Sequence, residues 1–88
     1  MKVEFKSSFA KDLRKIKEQK IKQQVLEIIE QVEKASNLQG ISDLKKLQGV
    51  DKYFRLKMGE YRIGLVVEQD TVLFVRFLHR KDNYRYFP

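Results

Sequence analysis

The sequence has no cysteine and a single histidine, His79. Without cysteine there is neither a disulfide framework nor a thiolate-held zinc. One histidine and no His/Asp/Glu cluster at ligand spacing give no reason to expect a metal site, so no metal and no cofactor are expected. Long hydrophobic runs are also missing. The opening MKVEFKSSF contains no apolar stretch of signal-peptide length, and nothing further along approaches a membrane span. The expectation is a cytoplasmic protein without a membrane partner. There is no carboxylate pair, no Ser/His/Asp set, no Gly-rich phosphate loop and no internal repeat. What the chain has in excess is positive charge: 19 Lys and Arg against 12 Asp and Glu, a net +7. The excess is present in both halves and favours nucleic acid, an acidic protein or an anionic surface as partner.

Eighty-eight residues make one domain, 1–88, with no room for a second core. Lys2 to Lys6 alternates Val3 and Phe5 with charged neighbours, a short strand suited to a sheet edge. Ser7 or Ser8 offers an N-cap for a helix carrying Phe9, Leu13 and Ile16 on one side. The cations opposite, Lys11, Arg14, Lys15 and Lys17, read as a solvated helix face. Ile21, Val25, Ile28, Ile29, Val32 and Ala35 then mark one stripe of a second amphipathic helix, with the break between the two at Lys17 to Lys20. From Ser36 to Val50 periodicity fades, and Leu44 and Leu47 of LKKLQG are expected to anchor a short helical turn.

The remaining stretch, Tyr53 to Tyr86, carries the argument about function. Phe54, Leu56 and Met58 alternate with Tyr53, Arg55 and Lys57, the period of a half-buried strand. Gly59-Glu60 has the form of a two-residue II′ turn, which sets Lys57 opposite Arg62, Arg55 opposite Gly64 and Leu56 opposite Ile63. Like charges facing each other across a strand pair are destabilising by roughly 0.2–1 kcal/mol. An anion bound between the cations would remove that repulsion. The last strand, VLFVRFL, is apolar on both faces and therefore central. A three-residue turn before it puts Leu73, Val75 and Phe77 in the core and Arg76 beside Gly64, whereas a two-residue turn buries an unpaired Arg76; the first is expected. Gly64 is then either a gap through which a ligand backbone approaches or a residue easing the sheet twist. No helix is expected after this strand, since the chain ends at Pro88. The whole reads as α+β: an N-terminal strand, a helical hairpin and a three-stranded antiparallel meander, giving a four-stranded sheet with the helices on one face.

If the anion is RNA, cleavage without a metal needs a base for the 2′-hydroxyl, cations for the phosphorane and an acid for the 5′-oxygen. Arg holds phosphate oxygens bidentately, and a Lys crowded by Arg residues is a candidate base. An aromatic such as Tyr84 can stack on a nucleobase.

These residues carry a resemblance. The element order, together with LKKLQG, YFRLKMGEYRIGLVVE and HRKDNY, resembles the RelE/ParE superfamily of bacterial toxins over nearly the whole chain. The resemblance implies a type II toxin, RelE-like, that cuts mRNA in the ribosomal A site by 2′-hydroxyl attack. It also implies contacts with ribosomal RNA and a cognate antitoxin that wraps the toxin. Carried over by position, Lys57 takes the base role, Arg62 the phosphorane, Arg80 the acid or leaving-group role, and Tyr84 orients by stacking. Arg55 stands where RelE itself has Lys and binds phosphate, with Arg76, His79, Lys81 and Arg85 as further RNA contacts. His79 is alternatively a packed strand end, or an acid–base group as in YoeB-like relatives. Two other readings stay open: a ParE-like gyrase poison, and a non-catalytic RNA- or ribosome-binding module on the same fold.

Overall fold

The computed structural model describes residues 1–88 apart from the side chain of Tyr84. Strand β1 (Lys2–Phe5) leads into helices α1 (Ser7–Arg14) and α2 (Gln19–Lys34). After a 3-10 turn come β2 (Leu44–Lys46), β3 (Tyr53–Met58), β4 (Tyr61–Glu68) and β5 (Thr71–His79), and the short helix α3 (Arg80–Tyr86) closes the chain. The sheet has the order β1-β5-β4-β3-β2, with β1 parallel to β5 and the other pairs antiparallel. No helix is long and apolar enough to cross a membrane among the described residues.

The α+β class and the helical hairpin agree with the sequence reading. Val25 and Val32 of α2 are fully buried against Leu56, Ile63, Leu65, Val72 and Phe74, so the stripe on α2 is core. Gly59 turns the β3–β4 hairpin at φ 57°, and the pairs Leu56–Ile63, Lys57–Arg62 and Arg55–Gly64 form as expected. β5 lies between β1 and β4, the central place its two apolar faces require.

Four expectations need correction. The sheet has five strands, because LKK pairs with β3 instead of forming a helical turn; the outer edge of β3 would otherwise leave its backbone donors without partners. The helices do not all share one face. α3 exists, and the Phe87 that follows it lies on the opposite side of the sheet, its ring directly over Gly64 and beside Tyr53. Glu68 pairs with Thr71, so the β4–β5 turn has two residues, with Gln69 at φ 56°. Arg76 nevertheless faces Gly64, because Leu65 pairs with Phe74 and Val75 is the extra residue of a β-bulge. The buried positions are therefore Val72, Phe74 and Phe77, in place of Leu73, Val75 and Phe77. Finally, Lys6 occupies the N-cap of α1 and no side chain caps it; the Ser8 hydroxyl donates to the Val75 carbonyl at 2.6 Å instead.

The bulge and α1 solve one problem together. β1 ends at Phe5, so the edge of β5 beyond Phe74 has no strand beside it. Lys6 N–H reaches Phe74 O at 2.9 Å, Ser8 reaches Val75 O, and the Asp12 carboxylate accepts the Phe77 N–H at 3.0 Å. Side chains of α1 thus complete an edge that a sixth strand would otherwise have to cover.

Gly64 is fixed by the ring above it. A Cβ there would stand 2.6 Å from Phe87. Gly64→Ala is expected to lower stability by about 1–3 kcal/mol through overpacking. Urea unfolding of both single variants and of the double variant checks this, since the cost of Gly64→Ala should largely vanish in a Phe87→Ala background.

Candidate active site

The open face of the β2–β4 half of the sheet carries two short rows of charge. Lys45 pairs with Arg55, and Arg55 with Gly64; one step along, Lys57 pairs with Arg62. Between these rows lies a cleft of about 290 Å³ lined by Asp43, Lys45, Arg55, Lys57 and Arg62. Strand alternation puts the cations there: Leu56 and Met58 turn inward to the core, so Arg55 and Lys57 must turn outward.

The cations are held to different degrees. Arg62 Nη1 donates to the carbonyls of Gly59 and Tyr61, both at 2.8 Å, which leaves the Nε and Nη2 donors of its fork for an anion. Arg55 Nε donates to Asn83 Oδ1, which ties α3 to the floor of the cleft. Asn83 is fully buried, and its Nδ2 has no partner among the described residues. Lys57 is exposed, with its backbone N–H on the Asp43 carbonyl at 3.0 Å.

The remaining expected residues sit elsewhere. Arg80 Nε pairs with the Glu60 carboxylate at 3.0 Å, and its backbone N–H donates to Glu60 O at 2.8 Å. His79 caps α3, its Nδ1 accepting the Lys81 N–H at 3.3 Å, while its ring stands edge-on to Tyr61. Arg80 is thus linked to the cleft residues through the Gly59-Glu60 turn, where the Gly59 carbonyl holds Arg62 and the Glu60 carboxylate holds Arg80, and His79 through Tyr61, whose carbonyl also holds Arg62. Lys81 is exposed, and the Arg85 guanidinium lies over the Tyr86 ring at 5.9 Å. Tyr84 was expected to orient a base, and its side chain lies outside the described residues. Gly64 offers no gap to a ligand, because Phe87 fills it. Among the described residues no group of three or more His, Asp or Glu is placed to hold a metal.

Arg76 does not join the other cations. It makes a two-bond fork to Asp12, Nε to Oδ2 at 2.7 Å and Nη2 to Oδ1 at 3.0 Å, and Asp12 is 6% exposed. This contact raises the Arg76 pKa above its already high ordinary value, first by hydrogen bonding to Asp12 and against an opposing effect of burial. Sequence reasoning missed Asp12, Asp43 and Lys45. The signal for Asp12 was a lone acid within the cationic α1; for Asp43 and Lys45 it was hidden by the unrecognised β2.

Asp12→Ala leaves Arg76 and the Phe77 N–H without their acceptor and is expected to cost about 3 kcal/mol. Asp12→Asn, which keeps an acceptor, should cost less. A raised arginine pKa means that its contribution is complete below the ordinary arginine value and is lost only as pH rises through the higher folded one. Arginine deprotonation therefore removes none of it between about pH 7 and 10, and urea titrations of wild type and Asp12→Ala at both pH values should differ by the same amount.

Known proteins share this arrangement of elements. The family described as the ParE toxin of the type II toxin–antitoxin system parDE matches residues 3–84. The chain is 42% identical over 89 residues, the full length of both, to Toxin RelE3 of Methanocaldococcus jannaschii. It is similar in structure to a chain of the RelB–RelE antitoxin–toxin complex from Methanococcus jannaschii, with a TM-score of 0.82 and 39% identity over 97% of this chain and 99% of that one. The isolated Escherichia coli RelE toxin shares the fold at a TM-score of 0.64 and 19% identity, covering 96% of this chain and 90% of that one.

Proposed function

The chain belongs to the RelE/ParE family of type II toxin–antitoxin toxins, and we propose that within it this protein is a RelE-like mRNA endonuclease acting in the ribosomal A site. The observation that supports this reading is the cleft itself. Four cations converge on it, and two of them, Lys57 and Arg62, face each other across a strand pair where a bound anion relieves their repulsion. An RNA phosphate fits that place. The Nε and Nη2 donors of Arg62 hold its non-bridging oxygens as the phosphorane forms. Lys57 is in reach for proton transfer, and Arg55 and Lys45 hold flanking phosphates. Arg80 serves the leaving group after the substrate draws it from Glu60, and Tyr84 stacks on a base. Metal chemistry has no role in this scheme. The protein partner is a cognate antitoxin, as in the solved RelB–RelE complex.

The test is a cell-free translation reaction with the purified protein, followed by primer extension on the message with and without ribosomes. Ribosome-dependent cuts at defined codon positions are expected. Arg62→Ala and Arg80→Ala should each reduce cutting by about 10²-fold or more, with circular dichroism unchanged. Intact message and normal translation would overturn the reading, and inhibited DNA supercoiling in the same preparation would replace it with gyrase poisoning.

A further inference from the structure

A second cavity, of about 330 Å³, lies between α2 and the tip of the β3–β4 hairpin, and Asp43 and Lys57 line both it and the cationic cleft. Its volume is at the lower end of the range for small-molecule sites. The character of the wall changes where the two meet. The cleft has four cations, whereas the second cavity has Gln24, Glu27 and Gln31 from α2, with Lys57 its one cation among the described residues. Gln24, Glu27 and Gln31 stand at i, i+3 and i+7, so successive turns of the helix carry them on one side. Ile28 and Met58 supply an apolar part of the wall. The hydrogen-bonding sense of the polar part is set by two observations. Gln31 Nε2 donates to Ser42 Oγ at 3.1 Å, which leaves the amide oxygen as acceptor. Glu27 enters none of the ion pairs among the described residues, so its carboxylate oxygens also remain as acceptors. These oxygens repel a phosphate, and a wholly apolar occupant would leave them without donors. A flat, partly apolar group that carries N–H donors satisfies both parts of the wall, and a nucleobase with an exocyclic amine is such a group.

We propose that this cavity is a nucleobase subsite, which reads one base beside the scissile phosphate and favours adenine, cytosine or guanine over uracil. This rests on the endonuclease reading and concerns which message is cut, not how the bond breaks. With the phosphate between Lys57 and Arg62, the message passes from cleft to cavity at Lys57, and one flanking base enters beside α2. Unpaired bases of single-stranded RNA are recognised through their hydrogen-bonding edges. Adenine, cytosine and guanine each carry an amino group there, and uracil has none. A uracil carbonyl set against Glu27 and the Gln31 oxygen brings acceptor to acceptor, and the hydrogen bonds that an amine would make are lost. Discrimination from such a mismatch is about tenfold.

The test is single-turnover cleavage of ribosome-bound messages that differ only in the base on one side or the other of the cut. At one of these two positions the wild-type protein should cut before or after A, C and G about tenfold faster than with U. Glu27→Ala should bring that ratio to about one, because the acceptor that reads the amine is gone. Glu27→Lys puts a donor in its place and should turn the preference toward uracil, a reversal that altered packing of α2 would not produce. Glu27 is exposed, and alanine and lysine are both good helix formers, so the helix tolerates either change. Equal cutting with all four bases by the wild type would overturn the subsite, as would a wild-type preference for uracil or an unaltered ratio in Glu27→Ala. Failure of the wild-type protein to cut any of the messages would appear before a variant is made, and it would overturn the endonuclease reading together with this one.

Discussion

The carboxylate of Asp12 closes the half of β5 that no strand covers, and much of the molecule depends on that closure. One oxygen accepts the Phe77 N–H and both engage Arg76. The contact seats α1 on the sheet edge and draws the Arg76 side chain toward that helix. A central strand with an arginine at this position would otherwise add a further cation to a face already crowded with them. Removing Arg76 by pairing leaves the open face divided: charge on the β2–β4 side, and the apolar contacts of Phe87 with Gly64 and Tyr53 beside it.

That division gives the cleft its shape. The C-terminal segment covers the middle of the open face, and the hydrogen bond from Arg55 to Asn83 marks the border between covered and uncovered parts. At the far end, the turn Gly59-Glu60 gathers Arg62 and Arg80 by separate contacts. Clustered cations of this kind raise the local potential well above what the net charge of +7 spread evenly would produce, which speeds encounter with a polyanion.

Legibility in the sequence followed how local each cause was. The Lys57–Arg62 opposition could be read because strand period and turn length alone decide it. The two helices could be read because their stripes are long. β2 could not: three residues have no period, and LKK becomes a strand only because β3 needs a partner there. RKDNYRY carries no apolar stripe, and its helix is held by Asn83 and by Phe87 packing, both tertiary contacts. The site suffered from the same causes. Missing β2 hid Lys45 and Asp43, and missing the Phe87 contact left Gly64 with two readings, an opening or an eased twist, neither of which is the ring that covers it. Arg76 was placed in the right register from the wrong turn length, because the extra residue given to the turn is offset by the extra residue of the bulge, Val75.

The bulge at Val75 also determines how this strand tolerates insertion and deletion. Deleting Val75 would leave every cross-strand pair with β4 in place, since Phe74–Leu65 and Gly64–Arg76 are already the pairs of a regular ladder. It would instead remove the acceptor of Ser8 and shift Phe77 relative to Asp12. The length of β5 is thus dictated by the helix at its edge and not by the strand it pairs with. In an alignment of chains with this fold, a gap at this point would signal a different seating of the first helix while the cationic hairpin stayed the same.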